Sequence, residues 1–143
     1  MSEKNEDVIV DRRGRVLEIT LNRGKVNAID HETSRKLGKA FQLLHEDPEL
    51  WVGIITGAGS RIFSAGWDLK SLDSGEQQLD NWWETESDIF GGFAGLTENW
   101  IMNKPVIAAL NGLTIGGGFE IALSCDLIVA ADHVEFALPE MPL

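Results

Sequence analysis

Three glycines closely followed by a carboxylate, Gly116, Gly117, Gly118 and Glu120, are the residues of this 143-residue chain best placed for chemistry. Glycines at a helix start leave no Cβ between the first free backbone N–H groups and whatever lies above them. Those donors, together with the helix dipole, favour negative charge. Glu120 stands one turn in, and Cβ atoms on a helix tilt toward its N-terminus, so its carboxylate leans back toward the same place. The segment offers a hole for a developing oxyanion with an acid/base group beside it. The plain alternative is that Glu120 is only a favourable acid in a first helical turn.

Several elements must bring such a site together. Val106 to Leu110, an apolar run after Pro105, reads as a buried strand. Asn111-Gly112 turns the chain, and a helix follows through Phe119, Glu120, Ile121 and Leu123. Upstream, residues 51–56 read as a strand buried on both faces that leads to Gly57-Ala58-Gly59 and then to a tight turn at Ala65-Gly66-Trp67-Asp68. Residues 8–10 and 16–21 read as a hairpin around residues 11–15. Asp30 is a plausible N-cap for a helix whose Leu37, Ala40, Phe41 and Leu44 form one apolar face, with Pro48 as its stop. Residues 126–131 form a further apolar strand, and it and Val106–Leu110 are expected to be covered on both faces. The fold class is α/β.

Composition narrows the partners. The formal charge is −11, from 12 basic and 23 acidic residues, which argues against nucleic acid. No apolar run has the length of a membrane span. The single cysteine, Cys125, excludes an internal disulfide framework and suits a reducing cytoplasm. Residues 1–7 read as neither signal nor transit peptide. His31, His45 and His133 are too scattered for a metal set, so no metal is expected. The strand before the triple glycine is not followed by Gly-x-Gly-x-x-Gly, and no Lys-Ser/Thr completes a P-loop.

Ala65-Gly66-x-Asp68, Asn111-Gly112 and Gly116-Gly117-Gly118-x-Glu120, in that order, resemble the crotonase (enoyl-CoA hydratase/isomerase) family. The resemblance runs from Leu17 to Pro139. It implies a spiral of strand-strand-helix turns, with residues 1–143 as one spiral domain corresponding to the N-terminal part of a member and lacking the C-terminal helical region. It also implies an acyl-CoA thioester substrate, no prosthetic group, and a homotrimer or dimer of trimers. The thioester carbonyl would lie between the main-chain N–H groups of Trp67 and Gly117. Glu120 and Glu140 match the two catalytic glutamates, with the assignment of acid and base left open. Lys25, in a loop that lies along coenzyme A in the family, is either a phosphate or adenine contact or a solvated turn residue; for Arg23 the solvated reading is preferred. Ala28, Ala65, Asp68, Leu69 and Lys70 complete the expected coenzyme A contacts.

Residues 63–70, 91–98 and 136–140 are similar to the carnitinyl-CoA dehydratase branch of that family. That branch implies reversible dehydration of carnitinyl-CoA to crotonobetainyl-CoA. Phe93, in the second run, is the first candidate for an aromatic face against a quaternary ammonium. Trp82 and Trp83 either pack as a lid or line the acyl pocket. A generic enoyl-CoA hydratase or isomerase would use the same hole, and a non-catalytic acyl-CoA binder or inert fragment is the rival from another class.

Overall fold

The computed structural model describes residues 6–73 and 90–139. The chain opens on a hairpin, β1 (Val8–Arg13) and β2 (Val16–Leu21), paired antiparallel. β1 is three residues longer than the apolar run. A two-residue turn at Gly14-Arg15 brings Asp11, Arg12 and Arg13 opposite Glu18, Leu17 and Val16, and polar side chains suit a sheet edge. The short strand β3 (Ala28–Ile29) precedes helix α1 (His31–Glu46). Asp30 caps that helix, its Oδ1 accepting from the Thr33 amide at 2.8 Å and the Thr33 hydroxyl at 2.7 Å. The apolar face includes the expected Leu37, Ala40, Phe41 and Leu44, all buried.

Each later turn of the chain supplies a longer strand to one sheet and a shorter one to another. β4 (Val52–Gly57) is followed by β5 (Ile62–Ser64), β6 (Gly66–Trp67) and α2 (Leu69–Asp73). β7 (Val106–Leu110) is followed by β8 (Leu113–Ile115) and α3 (Gly117–Leu123), and β9 (Leu127–Ala130) by β10 (Phe136–Ala137). The larger sheet runs β1-β2-β4-β7-β9 and is parallel from β2 onward; the second runs β10-β8-β5, all parallel. β3 and β6 pair separately. Both sheets advance by one strand per turn in chain order, which is a spiral. Among the described residues no helix is long and apolar enough to cross a membrane.

Three burial expectations are corrected. β7 buries Val106, Ala108 and Leu110 on one face, while Ile107 and Ala109 on the other are only half-buried. β4 is not covered equally on both faces: Gly53 and Ile55 are buried, with Leu44 of α1 packed over Gly53, while Val52, Ile54 and Thr56 on the other face are half-buried. Trp51 falls outside the strand and is 59% exposed, with the Arg15 guanidinium 4.1 Å above its ring. β9, the edge strand, pairs on one side with β7 and is exposed along its whole length, so the described chain covers neither of its faces.

Candidate active site

The two glycine motifs meet. Gly66 has φ +82°, a conformation few side chains tolerate, and a Cβ there would stand 2.5 Å from the amide nitrogen of Gly117 and 3.0 Å from its Cα. A Cβ on Gly118 would collide with the Ser64 carbonyl oxygen. The start of α3 thus rests directly on the β5–β6 backbone, and glycine is required on both sides of the contact.

Two buried polar side chains hold this turn. The Ser64 hydroxyl, fully buried, donates to the Asn27 carbonyl at 2.7 Å and accepts from the Gly66 amide at 3.0 Å. Asn27, at φ +47°, donates through Nδ2 to the Phe63 carbonyl at 3.0 Å. Along β6 the Asp68 amide donates to Ile29 of β3 at 2.9 Å. Successive N–H groups alternate in direction along an extended strand, so the Trp67 N–H turns away from β3. The Gly117 N–H, first in α3, has no intrahelical acceptor. Two amides on adjoining backbones, with a carboxylate one turn further along, can polarise a carbonyl and move a proton beside it.

A cleft of about 550 Å³ opens on the Trp67 side of this contact, lined by residues 23–26, Ala28, Ala65 and residues 67–70; Gly117 and Glu120 are not part of its lining. Lys25, Ala28, Ala65, Trp67, Asp68, Leu69 and Lys70, all expected at a binding site, share this one wall. Lys25 and Lys70 are exposed at it, and among the described residues neither has an ion-pair partner. Val26 and Leu69 add exposed apolar surface.

Arg23 is not a solvated turn residue. Its Nη2 pairs with Asp30 at 2.7 Å and Asp68 at 2.8 Å, and its Nη1 donates to the Ala28 carbonyl at 2.7 Å. It brackets the cap of α1, β3 and the end of β6. Burial works against charge on Asp68, but the hydrogen bond from Arg23 and those from the Lys70 and Ser71 amides outweigh it, holding the carboxyl below the usual carboxylate range. Asp68 therefore lines the cleft with its carboxylate already engaged.

In sequence and in fold the chain is similar to known proteins. The enoyl-CoA hydratase/isomerase family model matches residues 11–143. The chain belongs to the enoyl-CoA hydratase/isomerase family. It is 54% identical over 140 residues to a carnitinyl-CoA dehydratase of Salmonella arizonae and 52% identical over 140 residues to one of Escherichia coli K12, covering 97% of this chain and 51% of the relative in each case. The structure of a carnitinyl-CoA dehydratase from Mycobacterium avium 104 matches at 40% identity with a TM-score of 0.80, covering 94% of this chain and 50% of that one. An enoyl-CoA hydratase structure from Mycobacterium tuberculosis H37Rv matches at 41% identity with a TM-score of 0.79, covering 94% and 49%. The chain spans about half the length of the curated relatives it matches.

Within this enoyl-CoA hydratase/isomerase fold, Glu120 lies exposed on the first turn of α3, while Glu140, Trp82 and Trp83 fall outside the described residues. Phe93 is not an open aromatic face: it is 3% exposed, its ring stacked on Trp67 with centroids 4.1 Å apart. Asn111, expected only to turn the chain, receives the Gly57 amide on Oδ1 at 3.1 Å and donates to the Gly59 carbonyl at 2.8 Å, tying two turns of the spiral together. The signal for Asn27 was its residue type, since asparagine enters positive φ more readily than most side chains. Arg23 gave no comparable local signal.

Proposed function

We propose that this chain carries the acyl-CoA binding wall and carbonyl-polarising amides of a hydro-lyase that interconverts a 3-hydroxyacyl-CoA and its enoyl-CoA, with carnitinyl-CoA and crotonobetainyl-CoA as the substrate pair. The observation that supports the reading is the close contact of Gly66 with Gly117, which brings the Gly117 amide against the backbone that leads into Trp67, a residue of the cleft wall. Coenzyme A enters as part of the substrate. Lys25 and Lys70 supply positive charge for its phosphates, against the net acidity of the chain, and Val26 and Leu69 supply apolar surface for its arm.

In dehydration, a base removes the α-proton, and negative charge gathers on the thioester oxygen between the Trp67 and Gly117 N–H groups. Each aligned donor contributes about 3 kcal/mol to the transition state. The β-hydroxyl then leaves as water with a proton from an acid, and the enolate collapses to the enoyl thioester. Glu120 and Glu140 serve as that acid/base pair; coupled carboxylates exchange roles readily, and either order satisfies the proton balance. The dehydratase branch is favoured by the 54% and 52% identities, and the enoyl-CoA hydratase structure at 41% identity keeps a generic hydratase as the competing reading.

The test compares kcat/KM of the full-length protein for carnitinyl-CoA and 3-hydroxybutyryl-CoA. The proposal expects carnitinyl-CoA to be preferred by about tenfold or more, equivalent to about 1.4 kcal/mol. A preference for 3-hydroxybutyryl-CoA would replace the dehydratase with a generic hydratase.

A further inference from the structure

We infer that Phe93 is a positioning residue, which holds the Trp67 and Gly117 backbones in register from behind and is itself held by Ser34 through the turn at residues 91–96. The inference rests on the proposed role of those two backbones.

Phe93 meets the side chain of Trp67 and the backbone of Gly117. Its ring stacks on the Trp67 indole at an interplanar angle of 21°, and a Cβ on Gly117 would stand 2.9 Å from Cε1 and 3.0 Å from Cζ of the same ring. The ring edge thus occupies the space above the Gly117 Cα, and its face supports the side chain of the residue that follows Gly66. With 3% exposure, the ring has little room to move away from either contact.

The turn that carries Phe93 is unusual. Ala94 has φ 55° and ψ 16°, a left-handed conformation that costs energy for any residue with a Cβ, and Gly91, Gly92 and Gly95 are also at positive φ. Such strain persists only where the surroundings over-determine it. They do so here: the Ala94 amide donates to the Ser34 hydroxyl at 3.0 Å in a buried bond. Gly95 lies so close to α1 that a Cβ would stand 2.7 Å from the Gly38 Cα. Ser34 and Gly38 sit one turn apart on α1. A rigid helix, a strained turn, one aromatic ring and the two backbones therefore form a continuous packed path.

Simple core packing would also bury Phe93, but it gives no reason for the backbone conformation at Ala94 or for the ring resting on Gly117. The experiment is a double-mutant cycle of Phe93→Leu and Gly117→Ala in the full-length protein, reading kcat, KM and Tm for crotonyl-CoA hydration. Phe93→Leu is expected to lower kcat by about tenfold with KM within about threefold of wild type, the pattern of a lost transition-state interaction. Gly117→Ala is expected to lower kcat by at least as much. The double variant should lose less than the product of the two, because leucine leaves space for the added methyl. Ser34→Ala should lower kcat in the same way, and Ser34→Thr, which keeps the hydroxyl, should restore it.

Unchanged kcat in Phe93→Leu with an impaired Gly117→Ala would overturn the positioning role and leave the donor assignment standing. Multiplicative losses in the cycle would overturn the contact between them. Unchanged kcat in Gly117→Ala would show that the ring yields to the added methyl and would likewise overturn the positioning role. If Phe93→Leu does not fold, the Ser34 pair decides: lowered Tm with unchanged kcat in Ser34→Ala makes the path purely structural.

Discussion

Placing a methyl group on Gly66 should inactivate the protein far more than it destabilises it. Its Cβ would stand 2.5 Å from the Gly117 nitrogen, 3.0 Å from the Gly117 Cα and 3.1 Å from the Ile115 carbonyl oxygen. All three are backbone atoms, so no side chain can swing aside. Ordinary contact begins at 3.4 Å, so the two backbones must part by roughly 0.9 Å. Misplacement of about 1 Å costs about a hundredfold in rate, and loss of one aligned donor about a hundredfold to a thousandfold in kcat. Gly66→Ala also forces a Cβ into φ +82°, a strain of about 1–2 kcal/mol that could lower activity by destabilising the protein. Gly14→Ala controls for this: Gly14 is at φ +62° with nothing within 4 Å of the added methyl. The assay is hydration of crotonyl-CoA by the full-length protein, followed by loss of the enoyl thioester absorbance, with Tm measured alongside. Gly14→Ala should lose stability alone, and Gly66→Ala should lose kcat by about a hundredfold or more. A Gly66→Ala enzyme within threefold of wild-type kcat would show that the Gly66–Gly117 contact does not set the position of the donors.

Lys25→Ala and Lys70→Ala should each raise KM for acyl-CoA severalfold while leaving kcat nearly unchanged. The effect should shrink with added salt, as expected for exposed charges meeting an anion, and steady-state kinetics at two ionic strengths checks it. The lowered pKa of Asp68 makes a contribution to stability that is present above the ordinary carboxylate pKa and lost as pH falls through the lowered one, so Asp68→Asn should flatten the acid limb of a Tm-against-pH curve. Burial, with Asp126 adding to it, pushes the Cys125 thiol up to about 12, so iodoacetamide at pH 8 should label it only after denaturation, as mass spectrometry would report.

Features carried by neighbours in sequence were legible. Asp30 caps α1 because its partner is Thr33, three residues on, and the apolar face of α1 repeats at helical spacing. The triple glycine opens α3 as expected, with Gly116 at its cap. What escaped depends on distant partners. Arg23 read as a solvated turn because Asp68, 45 positions away, gives a local reading no sign that it will be adjacent. Phe93 read as a ligand face because burial depends on Trp67, Gly117 and α1, three separate elements of the spiral. Residues 127–131 read as fully covered because composition records only apolar character, not whether anything packs over the strand. The family pattern supplied Trp67 and Gly117 as a pair, and the fold explains why both adjoin glycine, since β6 and α3 touch through Cα atoms.

A crystal structure of the full-length protein with butyryl-CoA, a saturated thioester that cannot react, would show whether the Trp67 and Gly117 amides grip one carbonyl oxygen. The predicted result is a thioester oxygen within about 2.7–3.1 Å of both amide nitrogens, with the coenzyme running along the cleft past Lys25 and Lys70. A thioester oxygen directed to solvent or to a side chain, with those two amides bonded elsewhere, would contradict it.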